Sequence, residues 1–437
     1  MHERNNNWWS DSLVFAALSN IGMRRSNNQD SYCVLPAGTP RLWRAKGHVF
    51  IVADGMGAHM AGEYASKLAV DVVSQAYLRS SHDDAGEALR AAIIEAHETI
   101  RKRGESDEQF HGMGTTCDAL ALNSLGAYIG HVGDSRVYRL RRHVYEQLTF
   151  DHSLVWEIQR NPAIHPRYRE SHLPKNVITR SLGPTENLKV DIEGPFDLRP
   201  GDVFLMCSDG LSGQVADVEM GQILELFAPE EATETLVNLA NLRSGPDNIT
   251  VIVVAVKATP ELPELEKECE KADKVYQKRS PISMTSWLCL VGALTSLAFL
   301  AILACLSFDK RALALCLCAA LTLGFSVAFL TTARERFFKK RYKAPEPNKT
   351  FGKSPYTSVR IQPQEVFDQD IAKLCQSVCD AVHKIAEVEP DWNGVQNARA
   401  MAQKARQQNN LVEALRLEFR VINYMMRELK NYKQAKK

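Results

Sequence analysis

Through the first 256 residues the apolar positions fall into short unbroken runs that stop, or start, at a carboxylate. Val49 to Ala53 is continuous, with β-branched and aromatic members, as a strand buried on both faces requires, and it ends at Asp54-Gly55-Met56-Gly57. Val203 to Cys207 runs into Ser208-Asp209-Gly210, and Tyr128 to Gly133 runs into Asp134-Ser135-Arg136. Asp247-Asn248 reverses the order and opens the apolar run Ile249 to Val256. Any one Asp-Gly after a strand is ordinary turn chemistry. Repetition changes the reading, because carboxylates gathered without His or Cys repel one another unless hard cations sit between them.

Between these runs the spacing turns helical. Residues 61–78 and 85–102 predict helices, the second with Leu89, Ala92, Ile93, Ala96 and Ile100 on one face. Leu13 to Leu18 and Tyr32 to Leu35 predict strands on either side of a polar turn, and Gly112 to Thr116 opens another strand that runs through Leu122. Residues 151–174, with Pro162, Pro166 and Pro174, predict a short helix and then an irregular flap. Strands are expected to resume at Val177, and a helix-rich piece from Val218 to Arg243 precedes the last strand.

Beyond residue 257 the pattern changes. Residues 258–286 read as a charged linker. Residues 287–308 and 312–332 are uncharged runs of the length a bilayer span needs, about 20 residues, with only Asp309-Lys310-Arg311 between them, so 287–332 predicts a transmembrane helical hairpin. Lys274, Lys278 and Arg279 precede it, and Arg334, Arg336, Lys339, Lys340, Arg341 and Lys343 follow it. The positive-inside rule then makes both flanks cytoplasmic, in a multi-pass protein of the cell (inner) membrane with lipid as a partner. Residues 333–363 read as a basic, Pro-containing linker, and 364–437 as an α-helical region with amphipathic helices at 364–388, 393–407 and 411–432. In the last of these Leu411, Leu415, Phe419, Ile422, Met426 and Leu429 form a stripe that a lone helix cannot bury. The expectation is a small bundle that also docks a second copy or another protein and takes no part in chemistry.

Composition narrows the partners. The 53 Lys and Arg against 52 Asp and Glu leave a net charge of +1, so no global field favours nucleic acid, and none is expected. The 10 cysteines are scattered with no C-x-x-C, which argues against zinc ribbons and a disulfide framework and for reduced thiols. The first seven residues are too polar for a signal peptide.

Oxygen-only ligands select Mg2+ or Mn2+ over zinc, and two such ions close together suit in-line attack of water on a phosphoryl group. Arg25, five residues before Asp30, has the planar fork that would clamp the phosphoryl oxygens.

Arg25-Ser26-Asn27-Asn28-Gln29-Asp30, Asp54-Gly55-Met56-Gly57, Gly114-Thr115-Thr116, Gly133-Asp134-Ser135-Arg136, Ser208-Asp209-Gly210-Leu211 and Asp247-Asn248-Ile249-Thr250 resemble, in order and spacing, the motifs of the bacterial metal-dependent (type 2C) serine/threonine protein phosphatases. The resemblance implies a phosphatase domain over 1–257. Its fold would be α/β, a four-layer α-β-β-α sandwich of two antiparallel sheets flanked by helices, with the metals at one end. It implies Asp54 as bridging metal ligand, Gly55 as a backbone ligand, and Asp209 and Asp247 completing a centre of two Mn2+ or Mg2+ ions. It further implies Asp134 on a third, weaker ion, Asp30 on metal-bound water, and Arg25 on phosphate. Asn248 would support the turn at Asp247, and 151–182 would be the family's flap.

The chain departs from the family pattern at Ala58, at Met56, where eukaryotic members carry a histidine proposed as general acid, and at Asp118, where an apolar residue is usual. His59 is a substitute acid or, better, a supporting hydrogen-bond partner. The function expected is a membrane-anchored phosphatase acting on phosphoserine and phosphothreonine of cytoplasmic proteins through a metal-bridging hydroxide. The alternative is a weak or inactive phosphoprotein-binding membrane scaffold of the same fold.

Overall fold

Period-two burial explains why the strands read as unbroken apolar runs. In the strand His48–Met56, Val49, Ile51 and Ala53 join a core beneath helices, whereas Phe50 and Val52 join a second core between two sheets. The strand Val203–Cys207 divides likewise, Leu205 and Cys207 to one side and Phe204 and Met206 to the other.

The computed structural model describes residues 13–57, 60–160, 174, 177–257, 357–361, 365–385 and 387–436. Its strands are β1 (Leu13–Asn20), β2 (Asp30–Leu35), β3 (His48–Met56), β4 (Gly114–Thr115), β5 (Cys117–Asn123), β6 (Gly126–Val132), β7 (Arg136–Arg141), β8 (Val144–Gln147), β9 (Asp191–Phe196), β10 (Val203–Cys207), β11 (Ile249–Val256) and β12 (Ser358–Arg360). The helices are α1 (Pro40–Ala45), α2 (Ala61–Arg79), α3 (Ala85–Ser106), α4 (Leu154–Arg160), α5 (Asp209–Ser212), α6 (Asp217–Leu226), α7 (Pro229–Leu242), α8 (Glu365–His383), α9 (Trp392–Gln407) and α10 (Leu411–Ala435).

One sheet runs β1-β11-β10-β7-β8-β12 and the other β2-β3-β5-β6-β9, with β4 on the end of β3. Every pairing is antiparallel. Phe50, Leu120, Ile129, Phe204, Met206 and Ile252 fill the space between the sheets. α2 and α3 cover the outer face of the second sheet, and α6 and α7 that of the first. The expected four-layer sandwich of antiparallel sheets and flanking helices is therefore present.

Two elements differ from the reading of the sequence. Among the described residues the stretch from Val177 holds only two isolated bridges, Ser153 to Ile178 and Thr115 to Leu182, and the next strand begins at Asp191. β12 lies within what read as a linker; it pairs Ser358, Val359 and Arg360 with Glu146, Tyr145 and Val144, and a three-residue strand carries too short a pattern to be recognised without its partner.

The three C-terminal helices form as expected, but their apolar stripe needs no second copy. The described residues from 13 to 257 and from 357 to 436 belong to one compact unit. Within it Leu415, Phe419 and Ile422 of α10 belong to the same core as Ile223, Leu236 and Val251. Phe419 meets Phe227 edge-on at 6.1 Å between ring centroids. Asn423 donates to Thr235 Oγ1 at 2.7 Å and accepts from Asn238 at 2.9 Å, so a buried polar pair fixes the register of α10 on α7.

The membrane assignment is corrected. Among the described residues no helix is long and apolar enough to cross a membrane, and the runs 287–308 and 312–332 lie outside the described residues. The long described helices turn their apolar sides onto protein and carry charge elsewhere, as Arg416, Arg420 and Arg427 do on α10. Neither the hairpin, nor lipid as a partner, nor a place in the inner membrane with cytoplasmic flanks is carried further.

Gly221 of α6 and Ile361, just after β12, provide a test of this packing. A Cβ on Gly221 would lie 2.4 Å from Ile361 Cδ1. Gly221→Ala should destabilise the wild-type background by about 1–3 kcal/mol through overpacking. In an Ile361→Ala background only Tyr145 Cβ, 3.2 Å from the new methyl, still presses on it, so the same change should cost under about 1 kcal/mol. Urea unfolding of the four proteins reads the difference, and an equal cost in both backgrounds would contradict the packing.

Candidate metal centre

Strand ends from both sheets deliver aspartates to one place. Asp30 begins β2 and stands opposite Asp54 of β3 in the register of that pair. Asp134 follows β6, Asp209 follows β10 as the first residue of α5, and Asp247 precedes β11. Their proximity shows in their acidities. Asp54 is held well above the ordinary carboxylate range, by burial first and then by Asp30, Asp209, Asp134 and Asp247. Burial pushes Asp30 up to about 7 against the hydrogen bonds from Thr250 and Ser208 that pull it down. Burial, then Asp209 and Asp151, push Asp134 up to about 7. Asp209 is raised by burial and by Asp247, although it shares a hydrogen bond with Asp54.

Local chemistry holds each aspartate in place. The Asp54 N–H donates to Thr116 Oγ1 at 2.9 Å, and its carbonyl accepts from the Thr116 N–H and Thr115 Oγ1, both at 2.9 Å. Thr116 interrupts what read as one continuous strand from Gly112 to Leu122, and this latch on Asp54 is the reason. At Gly55 a Cβ would lie 2.0 Å from the Gly62 carbonyl, and at Gly210 one would lie 1.9 Å from that of Asn248, so only glycine allows these turns to close. Asp30 Oδ2 accepts from Ser208 Oγ at 2.8 Å.

Asn248 does more than support its own turn. Its N–H donates to Asp247 Oδ1 at 2.8 Å, while its side chain accepts from the Gln29 N–H at 2.8 Å and donates to the carbonyls of Ile21 and Asn27. It thereby fastens the loop that carries Arg25 to the head of β11. Arg25, about half-exposed, donates to Asp247 Oδ2 at 2.8 Å.

Arg25, Asp30, Asp54, Gly55, Asp134, Asp209 and Asp247, all expected at the site, are thus brought to one end of the sandwich. Met56 is half-buried at the end of β3, and Ala58 and His59 lie outside the described residues. Asp118 stands apart from this group. Fully buried, it pairs with His131 Nδ1, whose Nε2 bonds to the Phe150 carbonyl at 2.8 Å, and this partner across the β5–β6 ladder explains a charge where an apolar residue is usual.

The donor set fits divalent cations. Asp30 Oδ1 and Asp209 Oδ1 are buried without a hydrogen-bond partner, and a carboxylate oxygen in that position is costly unless a cation meets it. No three Asp, Glu, His or Cys side chains among the described residues close around one point as a ready cage. The fit therefore rests on the chemistry of these oxygens and on their crowding.

Residues 24–241 match the family described as Protein phosphatase 2C. Protein phosphatase PhpP of Streptococcus pneumoniae is 38% identical over 250 residues, 56% of this chain and 98% of PhpP. The chain belongs to the protein phosphatase 2C family. Among solved structures, the S. agalactiae serine/threonine phosphatase is 33% identical, with a TM-score of 0.50 over 56% of this chain and 100% of that one. The catalytic domain of the serine/threonine phosphatase PstP, solved in complex with two manganese ions, is 32% identical over 56% of this chain and 99% of its own, with a TM-score of 0.48. This member of the 2C family is an enzyme, a protein phosphatase, and its cofactor is Mn2+ or Mg2+.

Thr116, Ser208, His152 and Asp191 were not singled out as site residues in the sequence. The first two stand inside matched motifs, which was a usable signal. The others bond across the fold and leave no local pattern.

Holding a carboxyl protonated has a consequence for stability. Asp134 titrates near 7 when folded against about 4 when unfolded, so between these values the metal-free folded protein holds a proton that the unfolded chain releases. Its contribution therefore falls as pH rises from about 4 to about 7. Metal-free Asp134→Asn should melt above wild type by a margin that widens over this range and then levels. Calorimetric scans in EDTA check this, and a margin independent of pH would contradict it.

Proposed function

We propose that this phosphatase hydrolyses phosphoserine and phosphothreonine monoesters of proteins at the aspartate cluster. The observation that carries the reading is Arg25 bonded to Asp247 at the rim of the cluster. A crowd of carboxylates alone repels a phosphate dianion; a crowd that binds divalent cations beside an arginine fork attracts one.

In this reading Asp54, the Gly55 carbonyl, Asp209 and Asp247 hold two Mn2+ or Mg2+ ions, and Asp134 contributes to a third, weaker one. When bound, the ions would supply Lewis-acid charge that acidifies water and neutralises phosphoryl oxygens. Asp30 orients the attacking water: Ser208 fixes one of its oxygens, and the other is buried without a protein partner. Arg25 is exposed enough to exchange Asp247 for two phosphoryl oxygens, and the hold of Asn248 on its loop keeps it within reach of the cluster. Support for serine and threonine substrates comes from relatives named serine/threonine phosphatases.

Asp54→Asn and Asp209→Asn should each lower turnover of a small phosphate ester at saturating Mn2+ by about 10² or more, a loss of roughly 3 to 4 kcal/mol of transition-state stabilisation. Far-UV circular dichroism should stay unchanged. Near-wild-type turnover in both purified variants would contradict the assignment.

A further inference from the structure

The turn that delivers Asp134 is held by a side chain that none of the chemistry above uses. His152 is buried, and it grips Gly133, the residue before Asp134, twice. The Gly133 N–H donates to His152 Nδ1 at 3.1 Å, and the Gly133 carbonyl accepts from the His152 N–H at 2.7 Å. Because Nδ1 accepts, the ring proton sits on Nε2, where Asp191 Oδ2 receives it at 3.0 Å. Arg180 Nη1 sits beside both groups, donating to Asp191 Oδ1 at 3.2 Å and lying 3.0 Å from His152 Nε2. Burial keeps the imidazole neutral, down to about 4, as the acceptor role of Nδ1 requires.

The same residue ties down a second stretch. The Thr179 N–H donates to the His152 carbonyl at 2.7 Å, and the Leu154 N–H to the Val177 carbonyl at 2.9 Å. Asp191 in turn belongs to β9, whose register places it opposite His131 of β6. Asp191, Arg180 and His152 therefore form a short chain of bonds from β9 to the backbone immediately before Asp134.

From this geometry we infer that His152, pinned by Asp191, is a positioning residue that fixes the Asp134 carboxylate for its cation. The inference rests on the metal role proposed for Asp134. A histidine oriented by a carboxylate while its other nitrogen holds the backbone beside a ligand is outer-shell support, whose loss typically costs 10- to 100-fold in metal affinity.

The test is Mn2+ binding by the full-length protein, followed by electron paramagnetic resonance of the free ion, in wild type, His152→Phe, His152→Asn and Asp191→Ala. The weakest class of sites should lose about tenfold or more in affinity in His152→Phe and Asp191→Ala, with the tighter class unmoved. His152→Asn should stay closer to wild type, because its Oδ1 can accept the Gly133 N–H in place of Nδ1. Asp191→Ala keeps the imidazole in place, so it answers the question even where His152→Phe does not fold. Wild-type affinity of the weak sites in Asp191→Ala, or equal losses in His152→Asn and His152→Phe, overturns the inference alone. A wild-type protein that binds no Mn2+ overturns the metal reading and this inference with it.

Discussion

Carboxylates placed side by side repel, yet Asp30, Asp54, Asp134, Asp209 and Asp247 are held side by side. The neighbouring structure is arranged to impose that crowding. Thr115 and Thr116 latch the Asp54 backbone, Ser208 reaches from the other sheet to Asp30, and Asn248 fastens the Arg25 loop to the head of β11. Gly55 and Gly210 let backbones approach where any side chain would collide. Such an arrangement costs stability in the metal-free protein and recovers it when cations bind, so the fold and its cofactor are one thermodynamic system.

The core behind the cluster extends beyond the residues 24–241 that match the family. β12 adds a strand to the edge at β8, and α10 lays its apolar stripe on α7, extending one core from the catalytic sheet into the C-terminal helices. PhpP is matched over 98% of its length by 56% of this chain, so the C-terminal region is additional to what the two share. Its contacts have side-chain specificity: Asn423 with Thr235 and Asn238, Arg420 with Glu231, Arg427 with Glu234. An exposed sheet edge invites pairing with other chains, and β12 covers this one from within the molecule.

Much of the site was legible because its chemistry lies at strand ends. An apolar run that stops at Asp-Gly is visible without a structure and marks Asp54 and Asp209, while Asp247 shows as the carboxylate that opens such a run. The supports were illegible for the opposite reason. His152 acts on Gly133 and Asp191, and Asp118 answers His131 across a ladder, so their meaning lies in partners that no spacing reveals. β12 is only three residues long, too short for alternation to register. The apolar stripe of α10 was read correctly as a surface that must be covered, but its cover, α7, begins about 180 residues earlier, beyond the reach of any periodicity. Uncharged length suggested membrane spans, but the runs 287–308 and 312–332 lie outside the described residues, and no described helix is long and apolar enough to cross a membrane.

Aspartates made weaker acids by burial and by one another crowd together to receive divalent cations. Protons and ions must then exchange. Isothermal titration of the metal-free protein with Mn2+ at about pH 6.5, repeated in buffers of different ionisation enthalpy, measures this directly, since Asp30 and Asp134 both titrate near 7. The account predicts proton release on binding, seen as an observed enthalpy that changes with the buffer, and a smaller release in Asp134→Asn. Mn2+ binding with an enthalpy independent of the buffer would contradict it.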